Sequence, residues 1–462
     1  MFDTVSPAGL RATEYAYLDE KQHVYLDHTG AGLPAGHQLR AHADRLTSDA
    51  YGNPHSQNPT STASEELVAR ARAAVLRHFR ADPAEYAVVF TANATGALRL
   101  VGEAYPFGRR DRLVLLADNH NSVNGLREFA RSRGARTTYV PLDLPDLRTS
   151  DAAVRAALSG RRRGLFAYPA QSNFTGVRHP LRWIGEARDA GFDVLLDAAA
   201  FAPAGRLDLS AVHPDFVAVS WYKVFGYPTG IGSLIVRRDA LPRLRRPWFS
   251  GGTIHVVSAR AQWHRMAGDE SAFEDGTLNF LHIPDVETGL DFIGAVGADT
   301  VRRHVAELTA ALLDGLRGLA HSSGAPMIRL YGPKDTANRG GTVALNFLDV
   351  RGEVVDERVV ARDSAAHGIS LRTGCFCNPG AGEAAFGIGM QELRRAARAP
   401  RGAGGTIDDY LDRLALPSGG AVRVSLGLPS NRADVDAFLA FAAAAYRDRV
   451  PDTAGLPPRL RC

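Results

Sequence analysis

The sequence predicts an α/β protein built on a mostly parallel sheet with helices on both faces, followed by a smaller α+β domain. Short apolar runs alternate with stretches of helical spacing from residue 86 to residue 197, and polar residues follow the ends of these runs. After about residue 297 the pattern changes. Strands that alternate with helices imply right-handed crossovers and a parallel sheet. Ligands of such sheets bind beyond the carboxyl ends of the strands.

The strands of the predicted sheet are short apolar runs bounded by turn-forming residues. They cover residues 86–90, 113–116, 138–142, 165–168, 194–196 and 216–219. Helical spacing predicts helices over 62–79, 152–158 and 181–190. Two more helices are predicted, one that follows the turn at 91–96 and ends at about residue 105, and one that follows the turn at 118–122 and ends at about residue 133. The alternation therefore accounts for most of the chain from residue 62 to residue 219.

The second half of the chain predicts a separate domain, reached through a helical stretch at 285–319. Strands are expected at 328–331, 343–348, 369–371 and 422–426, and helices at 353–367, 390–397 and 431–447. Asn431 is suited to cap the last helix. We expect residues 1–30 to pack on the small domain, a large domain over 31–297, a small domain over 298–450 and a flexible tail over 451–462, with 397–420 the loosest part.

Composition excludes several classes of function. The 462 residues carry 54 Lys and Arg against 50 Asp and Glu, a net charge of +4, and no nucleic-acid-binding module accompanies them. No apolar run reaches the roughly 20 residues of a membrane span, and the N-terminus lacks the basic segment of a signal peptide. Three cysteines are too few for a disulfide framework or a four-thiolate zinc site. We expect a cytoplasmic protein without nucleic-acid or membrane partners and without a metal.

Lysine is rare in this chain, which makes Lys223 informative. The other two lysines, Lys21 and Lys334, lie in polar turns, whereas Lys223 follows Tyr222 just past the apolar run 216–219. An amine in apolar surroundings loses proton affinity. A neutral amine can form a Schiff base, which a guanidinium cannot. Lys223 is therefore a candidate catalytic amine, the alternative being a lysine that reaches solvent from a loop.

Other polar residues follow the predicted strand ends. Thr95 and Gly96 open a helix, where backbone N–H groups suit a phosphate. His120 could stack on an aromatic ring, and Asp197 ends an apolar strand, so its carboxylate needs a partner such as a pyridinium nitrogen. Each has a common alternative: an ordinary turn, a solvated loop histidine or a helix cap. Together with Lys223, in this order, they are typical of pyridoxal 5′-phosphate bound on a parallel sheet.

At these residues the sequence resembles the class V aminotransferase and cysteine desulfurase family, of pyridoxal-phosphate fold type I, over roughly residues 22–447. The resemblance implies that Lys223 is the Schiff-base lysine, Asp197 the pyridinium partner and His120 the stacking residue. It further implies that Ser220, Thr95 and Gly96 form the phosphate cup. Asn173 resembles the residue that reaches the pyridine hydroxyl and the substrate.

The resemblance also implies a homodimer with shared sites, because Gly276-Thr277 resembles the segment that reaches the phosphate in the partner subunit. Many relatives carry Gln three residues after the aspartate and His directly before the lysine. Here these positions are Ala200 and Tyr222, so contacts to the cofactor oxygen and phosphate are expected to differ.

A second motif, R-T-G-C-F-C-N-P-G, covers residues 372–380. In group II cysteine desulfurases the matching arginine holds the substrate α-carboxylate and the matching cysteine takes the sulfur, which implies these roles for Arg372 and Cys377. A cation near a thiol favours the thiolate, although the two cysteines of the motif could also be small buried residues. Cys375 could relay sulfur or only pack. His55, in the loop 52–59, could face the substrate or be a surface histidine.

The motif, together with D-N-H-N-S-V, L-D-A-A-A and S-W-Y-K-V-F-G-Y-P-T-G, is similar to the desulfurase domain of molybdenum cofactor sulfurases. We expect this chain to lack their C-terminal domain, because it ends at Cys462. The resemblance implies a cysteine desulfurase that converts L-cysteine to alanine, leaves a persulfide on Cys377 and passes sulfur to a separate acceptor. The alternatives are a C–S lyase, epimerase or aminotransferase on the same scaffold, or a non-catalytic sulfur carrier.

Overall fold

The computed structural model describes residues 6–160, 163–397, 406–414, 416 and 418–459. Part of the stretch expected to be loosest, and the last three residues of the expected tail with Cys462, lie outside these ranges. The strands of the described residues are, in chain order, β1 (Val24–Tyr25), β2 (Tyr86–Thr91), β3 (Arg112–Leu116), β4 (Arg136–Val140), β5 (Gly164–Pro169), β6 (Phe192–Asp197), β7 (Phe216–Ser220), β8 (Gly232–Arg237), β9 (Ile254–Ser258), β10 (Trp263–Met266), β11 (Ile328–Tyr331), β12 (Thr342–Phe347), β13 (Ile369–Ser370), β14 (Arg372–Gly374) and β15 (Ala421–Ser425).

The helices of the described residues are α1 (Pro7–Glu14), α2 (Tyr17–Glu20), α3 (Gly36–Ser48), α4 (Pro59–His78), α5 (Ala94–Ala104), α6 (Asn121–Asn124), α7 (Leu126–Ser132), α8 (Asp151–Leu158), α9 (Trp183–Asp189), α10 (Trp221–Phe225), α11 (Pro284–Val296), α12 (Ala298–Gly318), α13 (Glu357–Ala366), α14 (Pro379–Ala385), α15 (Met390–Ala397), α16 (Ile407–Arg413) and α17 (Arg432–Tyr446). In this part of the chain no helix has both the length and the apolar character needed to cross a membrane.

Seven strands form the central sheet, in the order β2-β8-β7-β6-β5-β3-β4. The strands from β7 to β4 in this order run parallel, while β8 runs antiparallel to both of its neighbours. Alternate residues of β2 enter two different cores: Val88 with one, Ala87 and Val89 with the other. The sheet is therefore buried on both faces, as near-continuous apolar strands predict.

The strands of the second half of the chain form an antiparallel sheet in the order β11-β12-β15-β14, with its own apolar core. The N-terminal segment joins this half, because β1 pairs in parallel with β13 and Arg11 forms an ion pair with Asp434 at 3.0 Å. The predicted Asn431 cap is confirmed, since its side chain accepts from the Asp434 N–H at 2.9 Å. The domain boundaries at residues 30, 297 and 450 remain a prediction.

Three features differ from the sequence analysis. The helix expected over 285–319 is two helices, because Gly297 has a φ of +88° and ends α11 before α12 begins. Strand β8 was not predicted, because it begins with Gly232 directly after a Gly-rich turn and its first residues look like part of that turn. The hairpin of β9 and β10 was also missed, because its side chains are mostly exposed and do not form a buried apolar face.

Candidate active site

A cavity of about 330 Å³ lies at the carboxyl ends of β5, β6 and β7. Six of the predicted site residues line it together: Thr95, His120, Asn173, Asp197, Ser220 and Lys223. Each is brought there by the end of a strand or the turn that follows one, as expected for a parallel sheet. The structure therefore brings together six of the eight residues predicted to bind the cofactor, while Gly96 and Thr277 line a neighbouring cavity.

Lys223 lies on the one-and-a-half-turn helix α10, which begins directly after β7. Burial lowers the pKa of the Lys223 amine below its ordinary value, and the nearby Asp197 carboxylate opposes this effect. The positive charges of Arg423 and Arg372 lower this pKa further. A lysine in this setting is more easily deprotonated, which is what nucleophilic amine chemistry requires.

Asp197 is the last residue of β6 and is 8% exposed. Its Oδ1 accepts from the N–H of Ala199 at 3.0 Å, so Oδ2 can accept from a cation placed in the cavity. The His120 ring is held by the N–H of Ser122, which donates to Nδ1 at 3.1 Å. Burial lowers the pKa of His120, an effect that Asp197 opposes and Lys223 reinforces. A neutral ring at this wall can stack on a flat ligand.

The turn before α5 forms the opposite end of the cavity. Asn93 caps this helix by accepting from the Gly96 N–H at 2.9 Å, and the Ser220 Oγ accepts from the Ala94 N–H at 2.9 Å. These two backbone donors are thus used internally, which differs from the expectation that the Gly96 N–H faces a phosphate. The Ser220 hydroxyl only accepts in this contact, so its proton is available for an anion. Thr95 is exposed and lies 2.8 Å from the Ser122 hydroxyl.

Thr277 and His55 lie outside this cavity. Thr277 is exposed and lines a neighbouring cavity of about 330 Å³ together with Gly96. His55 is exposed in a left-handed conformation, with a φ of +83°, beside the glycine loop at Gly252. The structure of one chain therefore places both residues outside the Lys223 cavity.

Cys377 lies in a strained turn at the edge of the site. Both Phe376 and Cys377 adopt left-handed backbone conformations, with φ of +54° and +53°, which costs free energy for residues with a Cβ. The Cys377 carbonyl accepts from the N–H of Asn121 at 2.7 Å, and Asn121 follows the ring of His120. Cys377 is a free thiol.

A buried hydrogen-bond network holds this turn in place. Asn378 is fully buried, and its Nδ2 donates to Asp118 Oδ1 at 2.8 Å and to Asn173 Oδ1 at 2.9 Å. The Asn173 side chain in turn donates to the carbonyl of Phe376 at 2.7 Å. Asp118 also accepts from His179 at 3.1 Å. Satisfied buried networks specify one geometry, so the cysteine turn has a defined position against the strand ends.

Arg372, which the resemblance implies holds the substrate carboxylate, is paired with a carboxylate of the protein. Its Nη2 lies 2.6 Å from Asp27 Oδ2, while its side chain is 50% exposed. Arg423, its cross-strand partner in β15, donates to Asp27 Oδ1 at 2.9 Å and is buried. Although burial acts to raise it, the two guanidinium groups hold the pKa of Asp27 below its ordinary value. The group carries one net positive charge beside the Lys223 cavity.

Asp27, Arg423, Asp118 and Asn378 were not identified from the sequence. Two of them stand beside residues that were: Asp118 precedes His120 and Asn378 follows Cys377. The sequence offers one signal for these residues. Arg423 is a charged residue inside the apolar run Ala-Val-Arg-Val-Ser, where a buried and therefore partnered side chain is expected.

The residues present fit pyridoxal phosphate. A strand-end carboxylate with one oxygen to spare suits a pyridinium nitrogen, a neutral imidazole suits the ring face, and the two hydroxyls of Thr95 and Ser220 suit the phosphate. The buried amine of Lys223 suits the aldehyde. The residues therefore match the cofactor both in the chemical groups that they offer and in their position, since all of them line the same cavity.

Comparison with known proteins agrees with this architecture. The family model "Aminotransferase class-V" matches residues 24–438. The molybdenum cofactor sulfurase of Bos taurus is 35% identical over 97% of this chain and 54% of its own length, and that of Homo sapiens is 36% identical over 94% and 50%. The chain thus spans about half the length of these relatives. The apo cysteine desulfurase of Thermococcus onnurineus NA1 shares the fold, with a TM-score of 0.79 at 23% identity over 96% of this chain and 99% of that one.

Proposed function

This chain belongs to the class V aminotransferase family, and we propose that it is a pyridoxal-phosphate-dependent cysteine desulfurase that moves the sulfur of L-cysteine to Cys377. The observation that carries the proposal is the position of Cys377, whose carbonyl accepts from Asn121, the residue between His120 and Ser122 of the Lys223 cavity. The names of the relatives, molybdenum cofactor sulfurase and cysteine desulfurase, support the same reaction class.

Pyridoxal phosphate, when bound, supplies an electron sink for bonds at the substrate α-carbon. Asp197 would hold the ring nitrogen protonated, His120 would cover one face, and Thr95 and Ser220 would hold the phosphate. Lys223 would anchor the cofactor and then move a proton at the substrate α-carbon, a role that its lowered pKa favours.

The substrate α-carboxylate would bind at the Arg372 and Arg423 pair. Asp27 neutralises only one of the two guanidinium groups, and Arg372 keeps half of its side chain open to solvent. A carboxylate there gains charge-assisted hydrogen bonds. Asp27 would also orient both arginines, because it accepts from each of them.

Cys377 would take the sulfur as a thiolate. The Cys377 sulfur attacks the substrate sulfur, an S–S bond forms, and the substrate bond from β-carbon to sulfur breaks with its electron pair left on carbon. Protonation of that carbon gives alanine, and the enzyme keeps a persulfide. The network around Asn378 would hold the thiol for this attack.

The sulfur would then pass to a separate acceptor, either a molybdenum cofactor, as the names of the relatives suggest, or a biosynthetic sulfur acceptor. We also expect a homodimer in which Thr277 reaches the partner's site. The exposure of Thr277, beside a second cavity that shares Gly230 with the first, supports this arrangement.

The test uses purified holoenzyme, L-cysteine and a thiol reductant. Wild type is expected to release alanine and sulfide in equal amounts, and without reductant to gain one sulfur atom at Cys377 by peptide mass spectrometry. Cys377→Ala should keep the absorbance of the bound cofactor yet lose both products. Equal turnover by wild type and Cys377→Ala would replace the desulfurase with a lyase or aminotransferase, and a protein that binds no pyridoxal phosphate would overturn both.

A further inference from the structure

Another polar cavity, distinct from the Lys223 cavity and from the cavity at Thr277, has a volume of about 260 Å³. It lies where the two sheets meet, and none of the residues predicted to bind the cofactor lines it. Three arginines line it: Arg178 after β5, Arg302 on α12 and Arg339 before β12. Its other polar side chains are those of Thr309, Thr336 and Asn338, and the described lining includes no Asp or Glu. The cavity is therefore walled by positive charge.

The charge on Arg339 lacks the usual compensation. Arg339 is 5% exposed and donates to backbone carbonyls, among them that of Thr175 at 2.9 Å. Two other arginines are equally buried, and both have carboxylate partners: Arg11 with Asp434 and Arg423 with Asp27. Within the described residues Arg339 has no such ion pair. Burying a guanidinium without a counter-charge is costly.

Arg178 is in a similar state. Its Nε donates to Gln171 Oε1 at 3.1 Å and its Nη2 to the carbonyl of Ala204 at 2.8 Å, with its guanidinium over the ring of Phe201. Among the described residues no carboxylate pairs with it and its Nη1 has no hydrogen-bond partner. Arg302 on the cavity rim has one surface pair, Asp299, at 3.3 Å from its Nε, which leaves both of its Nη groups for a ligand.

The electrostatic consequence is a positive field in the cavity. Burial lowers the pKa of Arg178 to about 10, and the neighbouring Arg302 adds to the effect. Burial likewise lowers the pKa of Arg339 to about 10, with Arg148 adding to it and Asp335 opposing it. Both groups remain protonated at neutral pH, so the cavity carries more positive than negative charge.

We propose that this cavity is a binding site for a phosphate group, held by the guanidinium groups of Arg178 and Arg302 in the field of Arg339. The planar fork of arginine matches the oxygens of a phosphate, and two forks from different elements can bind it at once. The volume is below that of most drug-sized pockets. It therefore suits free phosphate, or the phosphate of a larger molecule whose remainder projects outwards beside Arg302.

The site is separate from the cofactor phosphate but is connected to the active site. Arg178 donates to Gln171, and Gln171 Nε2 donates to the carbonyl of Ala200 at 2.9 Å. Gln171 and Ala200 both line the Lys223 cavity. A phosphate bound to Arg178 would thus be one side chain away from the wall of the active site. The proposal does not depend on the desulfurase reaction.

Binding is measured by titration calorimetry on holoenzyme freed of excess cofactor, at constant ionic strength, with inorganic phosphate and with glycerol 3-phosphate as probes. Wild type should bind one equivalent. Each variant loses charge-assisted hydrogen bonds to the phosphate, so Arg178→Gln and Arg302→Gln should each weaken binding by about tenfold or more. Arg303→Gln, the neighbouring exposed arginine on α12 that does not line the cavity, is the matched control.

The outcomes are distinct. Tighter binding of glycerol 3-phosphate than of phosphate identifies a phosphate ester as the ligand, and equal binding identifies the free ion. No saturable binding to wild type, or equal affinity in wild type and Arg302→Gln, overturns the proposal. Arg302 is exposed, so its variant is expected to fold even if Arg178→Gln does not. The absorbance of the bound cofactor is followed throughout, and its loss on adding phosphate would show competition at the cofactor site instead, which also overturns the proposal.

Discussion

The two sides of the candidate active site are built in different ways. On the cofactor side, Thr95, His120, Asp197 and Lys223 each stand within a few residues of the end of a strand in one sheet. On the cysteine side, Asp27 meets Arg372 across 345 residues of chain and Arg423 across 396. One side is positioned by local strand-to-turn geometry and the other by contacts between distant segments.

This difference predicts how substitutions will affect each side of the site. The cofactor side rests on a sheet whose strands are buried on both faces, so its groups are fixed by the fold itself. The cysteine side depends on a few buried polar contacts, each of which leaves a charge or a polar atom without a partner when it is broken. Single substitutions on the cofactor side should therefore lower the reaction rate. Substitutions of the residues that hold the cysteine side should lower the free energy of unfolding and displace the cysteine turn.

The largest effect is expected for Lys223→Ala, which removes the amine of the cofactor side. Turnover of L-cysteine should fall by at least about 10³-fold, because both the anchor and the proton carrier are lost. Unfolding by urea should change little, since the sheet is unaffected. Lys334→Ala, at an exposed turn, serves as the control. Turnover by Lys223→Ala within tenfold of wild type would contradict the assignment of the chemistry to the cofactor side.

Asp27→Asn should lower the free energy of unfolding by about 3 kcal/mol at neutral pH, since it leaves the buried Arg423 without its carboxylate. The control is Asp19→Asn, whose carboxylate is 57% exposed beside Arg11 and should cost less than about 1 kcal/mol. Urea denaturation followed by circular dichroism measures both. Equal costs for the two variants would contradict the assignment of Asp27 as the centre of this side.

The Asp27 effect should also depend on pH in a defined direction. The pKa of Asp27 is held below its ordinary value of 3.8 in the folded protein. The unfolded chain therefore takes up the proton first as the pH falls, and the stabilising contribution of Asp27 is present above pH 3.8 and lost below it. The difference between wild type and Asp27→Asn should accordingly shrink in acid.

Asn378→Ala should loosen the cysteine turn without disturbing the cofactor side. It removes the bonds to Asp118 and Asn173, at a cost of about 1–3 kcal/mol. We expect faster alkylation of Cys377 by iodoacetamide and a lower kcat for sulfur transfer, with unchanged cofactor absorbance. Asn378 also caps α14, and Asn431 is the corresponding asparagine cap of α17. Asn431→Ala should therefore leave alkylation unchanged. An unaltered alkylation rate in Asn378→Ala would show that the turn is held by other contacts.

At neutral pH the smallest effect is expected from His28, the buried neighbour of Asp27, because its contribution develops only as the pH falls. Burial lowers the pKa of His28 to about 3, which Asp27 opposes. The unfolded chain binds the proton near pH 6.5, so stability should fall between pH 6.5 and about 3 by at most about 1.4 kcal/mol per pH unit. His28→Gln should flatten this slope relative to wild type, whereas His367→Gln, at an exposed position, should not. Equal slopes in wild type and His28→Gln would contradict the assignment.

By itself the sequence determined the parallel sheet, the order of its strands along the chain and the cofactor residues at their ends. These follow from short-range patterns, since apolar runs form strands and the polar residues that end them meet at one edge. The rarity of lysine and the spacing of Asp197 and Lys223 are also visible without a structure. The same patterns could not show β8 or the break at Gly297, because a turn or one glycine conformation decides them.

The tertiary structure alone decided the contacts that hold the cysteine side and the cavity lined by Arg178, Arg302 and Arg339. Asp27 looks like a strand-end aspartate in the sequence, and only folding brings it between Arg372 and Arg423. Asn378 acquires its role from Asp118 and Asn173, which lie on other segments. Buried charges must find partners wherever the chain supplies them, and sequence periodicity carries no information about which distant residue will be that partner.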